Sequence, residues 1–105
     1  MAKFLFAYHG GAMPEDPEEV ARGLEPWIAW YGALGAAVVD PGNPIGQAAY
    51  VNPDGSVQAG GGANPVSGYT LIEAESLDAA VAIAKTNPLL AVGGSVEVGE
   101  TFSMG

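Results

Sequence analysis

Residues 3–9 alternate as an extended chain would. Phe4, Phe6 and Tyr8 fall on one side, with Leu5, Ala7 and His9 on the other. Both sides are largely apolar, which predicts a strand covered on both faces. A loop follows at residues 10–14. Asp16 then stands ready to cap a helix, Pro17 suits the first helical position and Glu19 can complete a capping box. The helical pattern runs to Leu34, with Gly35 as the stop, and Trp27, Trp30, Tyr31 and Leu34 form one stripe facing the core. Pro26 lacks an N–H, so the spacing predicts either a kink there or a short helix followed by a second starting near Glu25.

The middle of the chain reads as short strands and turns. Residues 36–40 and 47–51 are strand segments, and Asn52, Pro53, Asp54 and Gly55 make a turn that closes a hairpin with residues 56–58. Residues 59–65, with three consecutive glycines, read as a loop. They lack the Lys-Ser/Thr of a phosphate loop and the spaced glycines of a dinucleotide site. Residues 68–74 form the clearest strand, and Ser76 caps the second helix. That helix turns Leu77, Ala80, Ile83 and Ala84 inward and Asp78, Ala82 and Lys85 outward, and Asn87-Pro88 ends it. Residues 95–102 are the last strand, with Val96, Val98 and Phe102 in register.

The order is β-α-β-(hairpin)-β-α-β. Right-handed crossovers make this an α+β chain, a ferredoxin-like βαββαβ arrangement with an antiparallel sheet and two helices on one face. Two helices cover one face only. The apolar outer side of the first strand therefore predicts a homodimer packed sheet against sheet.

Composition narrows this picture. A chain of 105 residues has room for one domain, spanning residues 1–105, and its 49% hydrophobic and 14% charged content favours a folded globule. Twelve acidic residues against three basic ones give a net charge of −9, which disfavours nucleic acid and anionic membrane surfaces as partners. Cysteine is absent, which excludes disulfides, thiolate catalysis and Cys-ligated metal. With no apolar run long enough for a signal peptide or membrane span, cytoplasm is the default location.

Three stretches carry a family resemblance. Residues 68–80 (Gly-Tyr-Thr-Leu-Ile-Glu-Ala-Glu-Ser-Leu-Asp-Ala-Ala) look like the strand–helix signature of YCII-related proteins. Residues 94–98 (Gly-Ser-Val-Glu-Val) resemble that family's closing strand, and residues 35–44 are similar to its second strand and following loop. The resemblance implies a dimeric α/β barrel built from two ferredoxin-like subunits. One branch of the family pairs a His on the first helix with an Asp just before the Pro after the second helix. Here no His stands at residues 24–27, and Asn87 occupies the Asp position. Asn does not titrate, so that acid–base pair does not carry over. The Asp-Gly-Pro-Phe segment of another branch is also unmatched, because residues 59–62 are Ala-Gly-Gly-Gly.

The candidate chemistry is correspondingly sparse. His9 is the only histidine and is a candidate both for catalysis and for ligand binding. With the first and third strands expected to run parallel side by side, His9 falls near Glu73 or Glu75, with Glu73 able to orient its imidazole, and Asp40 at the opposite end of the sheet. Trp27 and Trp30 are candidates for an aromatic ligand pocket, although such a stripe is more often core. Asn43, which suits a turn, and Tyr69 complete the ligand-binding candidates. No metal or cofactor is expected, since one His without Cys leaves only carboxylates at no recognisable spacing. The favoured function is a homodimeric small-molecule-binding or accessory domain. The alternatives are a small lyase, isomerase or hydrolase-like enzyme using His9 with a nearby carboxylate, and an interaction module without a pocket.

Overall fold

The computed structural model describes residues 1–11 and 16–104. Residues 12–14 of the expected first loop therefore lie outside the described residues. The main sheet contains β1 (Ala2–His9), β2 (Val38–Asp40), β5 (Val66–Ala74) and β6 (Ser95–Glu100), in the order β2-β5-β1-β6. Strands β3 (Ala49–Val51) and β4 (Val57–Ala59) form a separate two-stranded hairpin. Helices α1 (Pro17–Leu34) and α2 (Leu77–Ala84) pack on one face of the sheet. This is the ferredoxin-like architecture.

Alternation along the central strands builds the core. Phe4, Phe6 and Tyr8 of β1 and Thr70, Ile72 and Ala74 of β5 are buried beneath the helices, with Trp30, Ala80 and Ala84 packed on them. Their neighbours Leu5, Ala7, His9, Leu71 and Glu73 point to the opposite face. Leu5 and Val39 remain 40% exposed there. The molecule measures 45 × 41 × 19 Å. Its short dimension is one sheet plus one helical layer, so among the described residues no second layer covers the other sheet face.

Three expectations need correction. Every neighbouring pair in the main sheet is antiparallel, including β1 with β5. A β-α-β crossover makes its two strands parallel but leaves a third between them, so adjacent strands alternate in direction. Second, α1 is one helix of 18 residues that runs through Pro26, so the second helix expected to start near Glu25 does not form. Pro26 lies on an exposed face, where the carbonyl freed by its missing N–H can turn toward solvent. Third, Leu77 is half-exposed and Phe102 lies beyond β6, 84% exposed. Both capping expectations are met. Asp16 accepts from the Glu18 amide at 3.0 Å and Ser76 from the Ala79 amide at 3.1 Å.

Candidate ligand-binding cleft

The two helices sit on the sheet differently because their inward residues differ. Helix α2 presents Ala80 and Ala84, small side chains that let its backbone lie close. Helix α1 presents Trp27, Trp30 and Tyr31, whose rings prop it away from the strands. Trp27 meets Tyr8 edge-on with ring centroids 5.3 Å apart, and Trp30 meets Phe6 at 6.3 Å. The gap that remains is a cleft of about 940 Å³. It is bounded by α1, by the loop of residues 41–45 after β2, by the start of β5, and by the 3₁₀ turn Pro88–Val92.

The loop of residues 41–45 is held by the backbone itself. Gly42 has φ +76° and donates its N–H to the Asp40 carboxylate at 2.9 Å. Asp40 is thus a turn-former beside Leu71, level with the middle of the sheet rather than at its far end. Gly42 also packs so tightly on β5 that a Cβ there would stand 1.7 Å from the Tyr69 carbonyl oxygen.

A buried polar chain runs behind the cleft and reaches its wall at Tyr8 and Pro41. The Tyr8 hydroxyl donates to Thr70 Oγ1 at 2.6 Å, and Thr70 donates to the Pro41 carbonyl at 2.9 Å. Asn87, only 3% exposed, donates to the Tyr8 oxygen at 3.1 Å and accepts from the Leu89 amide at 2.9 Å. Asn87 is therefore a structural residue that joins the core to the turn following α2. Sequence reasoning missed Thr70. The available signal was a Tyr ending the inward stripe of β1, whose hydroxyl requires a partner when buried, and a Thr on the inward face of β5. Two further aromatic donors on the walls have partners. Trp30 Nε1 donates to Thr86 Oγ1 at 2.8 Å and the Tyr31 hydroxyl to the Pro41 carbonyl at 3.1 Å.

Burial pushes the Tyr8 phenol up to about 12, and its hydrogen bonds with Thr70 and Asn87 offset only part of that. Because the folded value lies above the unfolded one, Tyr8 stabilises the fold fully below about pH 10, and that contribution is lost as pH rises toward 12. The loss amounts to about 2–3 kcal/mol. In Tyr8→Phe this alkaline limb is absent, so the stability gap between the native protein and the variant should narrow between pH 10 and 12. Urea unfolding across that range measures it, and a gap that stays constant with pH contradicts the assignment.

The sequence-derived candidates divide into two groups. Trp27, Trp30, Asn43 and Tyr69 all border the cleft. Trp30 is also core, at 7% exposure, whereas Trp27 is half-buried, and its indole N–H has no protein acceptor among the described residues. Tyr69 sits at the rim, since alternation between buried Gly68 and Thr70 turns its ring toward the outer sheet face. His9 lies outside the cleft on that outer face. Its Nε2 is 3.0 Å from Glu97 Oε1 and its Nδ1 is 3.2 Å from the Pro65 carbonyl.

The expected pairing of His9 with Glu73 does not form. Antiparallel register sets Glu73 opposite Lys3 and His9 opposite Val66, so the two are separated by about 20 Å of strand. Glu97 is the carboxylate that meets His9, as a diagonal cross-strand neighbour. Among the described residues bordering the cleft, none is Asp, Glu, Lys, Arg or His. No cluster of metal-ligating side chains occurs among the described residues, and no helix there is long and apolar enough to cross a membrane.

Fold and site together define an α+β domain of ferredoxin-like type with an aromatic cleft between its sheet and first helix. No family model and no curated protein matches the sequence. Among solved structures, the fold is similar to that of 5-chloro-2-hydroxyhydroquinone dehydrochlorinase (TftG) from Burkholderia phenoliruptrix AC1100, in complex with 2,5-dihydroxybenzoquinone. The likeness covers 96% of this chain and 95% of the other, with a TM-score of 0.55 and 19% sequence identity.

Proposed function

We propose that this chain is a homodimeric protein of the YCII-related family that binds a neutral, flat, largely apolar small molecule in the cleft. The observation that carries the reading is the cleft lining. A space of about 940 Å³ is walled by Tyr8, Trp27, Trp30 and Tyr31 with no charged side chain among its described residues, in a protein of net charge −9. That volume is in the range of sites for drug-sized ligands, about 300–1,000 Å³, and such sites are mostly apolar with a few placed polar groups. The fold neighbour holds 2,5-dihydroxybenzoquinone, also a small flat ring.

The cleft also weighs against an interaction module without a pocket. The enzyme reading has less support. His9 keeps a nearby carboxylate in Glu97, but both of its ring nitrogens are engaged by the protein and it lies away from the cleft.

Both tryptophans of the chain border the cleft, so intrinsic fluorescence reports on it. Titration with neutral bicyclic aromatics should give saturable quenching, removed in Trp27→Ala. The absence of saturable binding by any such compound contradicts the proposal.

The dimer rests on the uncovered sheet face, where Leu5, Val39, Ala7 and Leu71 present apolar surface in a molecule one sheet and one helix layer thick. Sedimentation at micromolar concentration should give twice the chain mass. Replacing Leu5 by Glu should return it to a monomer, and a native protein that sediments as a monomer removes the dimer.

A further inference from the structure

The hydrogen-bonding groups on the cleft wall are unequally committed. The Thr70 and Tyr31 hydroxyls both give their protons to the Pro41 carbonyl, at 2.9 and 3.1 Å, which fills both lone pairs of that oxygen. Tyr8 gives its proton to Thr70, and Thr86 gives its own to the Ile83 carbonyl at 2.6 Å while accepting from Trp30. The hydroxyl protons of Tyr8, Tyr31, Thr70 and Thr86 are thus spent inside the protein. Their oxygens are not equally spent. Tyr8 already accepts from Asn87, but the half-buried Tyr31 oxygen accepts from no group among the described residues.

Trp27 stands one helical turn before Tyr31, its ring centroid 6.0 Å from the Tyr31 ring, and its indole N–H is a donor without a protein acceptor among the described residues. Among the described residues, this wall of the cleft therefore offers an acceptor and a donor that no protein group engages, and no cation.

We infer that the cleft selects uncharged aromatic ligands bearing a hydroxyl, phenols in particular, over the corresponding ethers and carboxylates, with Tyr31 Oη receiving the ligand proton and Trp27 Nε1 donating to the ligand oxygen. The inference rests on the small-molecule reading above and sharpens its ligand class. A phenolic oxygen is donor and acceptor at once and matches both groups. An ether oxygen accepts from Trp27 but leaves Tyr31 unpaired. A carboxylate brings a charge that neutral donors alone do not compensate, into a protein that is already strongly acidic. Donation to Tyr31 also polarises its own bond to Pro41, so ligand and loop reinforce each other.

Calorimetric titration of the full chain at pH 7 with naphthol, methoxynaphthalene and naphthoate tests this. Naphthol should bind about three- to ten-fold more tightly than methoxynaphthalene, the range expected for one neutral hydrogen bond, and naphthoate more weakly than either. In Tyr31→Phe the ratio of naphthol to ether affinity should fall to about one, a loss in the range of one neutral hydrogen bond. Circular dichroism of the variant checks that it is folded, and a preference for naphthol kept in the folded variant overturns the role of Tyr31. Equal binding of naphthol and the ether to the native protein overturns the hydrogen-bond inference yet leaves the aromatic cleft standing, as does naphthoate binding tightest. If none of the three binds, the ligand reading and this inference fall together.

Discussion

Gly42→Ala should cost at least about 3–4 kcal/mol and abolish ligand binding. Two independent penalties meet at this residue. Its φ of +76° is a conformation that costs a residue with a Cβ about 1–2 kcal/mol. The second penalty is larger, because the new methyl would lie 1.7 Å from the Tyr69 carbonyl oxygen and 2.7 Å from its carbon. Those are backbone atoms of a central strand and have no rotamer to escape into. The loop must lift off β5, taking with it the Pro41 carbonyl that anchors Thr70 and Tyr31. Gly55 supplies the control. Its φ is +88° but no atom lies within 4 Å of a Cβ built there, so Gly55→Ala should cost only the conformational part, about 1 kcal/mol. Urea unfolding of the two variants separates strain from collision. Equal losses would mean that the Gly42 approach is not what holds the loop.

Trp30→Ala should destabilise the protein by about 3–5 kcal/mol, as large-to-small changes at buried tryptophans do. Trp30 is the one buried residue of α1 and sits against Phe6, Trp27 and Tyr31. Its loss empties the contact by which α1 is seated on the sheet and removes the donor to Thr86. Trp30→Phe keeps most of the ring and loses only that hydrogen bond, so about 1–2 kcal/mol is expected. Chemical denaturation monitored by circular dichroism measures both. A loss under about 1 kcal/mol for the alanine variant would show that α1 is held by something other than its aromatic stripe.

The architecture was legible because its signals are local and periodic. Alternation in Phe4, Phe6 and Tyr8, the caps at Asp16 and Ser76, and the turn at Gly55 each specify one element with little help from the rest of the chain. The stripe of Trp27, Trp30, Tyr31 and Leu34 likewise marked the inward side of α1. What was not legible depends on how elements meet. Strand direction follows from the crossover geometry and not from any residue in β1 or β5, and the wrong direction carried Glu73 to His9 when the register brings Glu97 there. Thr70 and Asn87 are polar residues whose partners lie 62 and 79 positions away in sequence, so nothing near them announces the network they build with Tyr8. Pro26 misled for a related reason: its cost depends on which side of the helix faces solvent.

Asn87 shows how the two levels combine. From the sequence it marks the absence of an acid–base pair. In the fold it is a buried amide that donates to Tyr8 and accepts from Leu89, a pattern that uses both ends of an amide and that a carboxylate could not reproduce without a proton. The cleft beside it is walled by aromatic surface and a few neutral polar groups.

The central claim is that this cleft, and not the His9 face, receives the ligand. The most direct test follows the two indole N–H resonances of the ¹⁵N-labelled protein during titration with naphthol. The Trp27 signal, with no protein acceptor among the described residues, should shift strongly and saturate, together with the amides of Gly42, Asn43 and Ile45. The Trp30 indole, tied to Thr86, should move little, and amides around His9 and Glu97 should stay in place. Shifts confined to His9, Glu97 and the outer sheet face, with the Trp27 indole unmoved, would contradict the account.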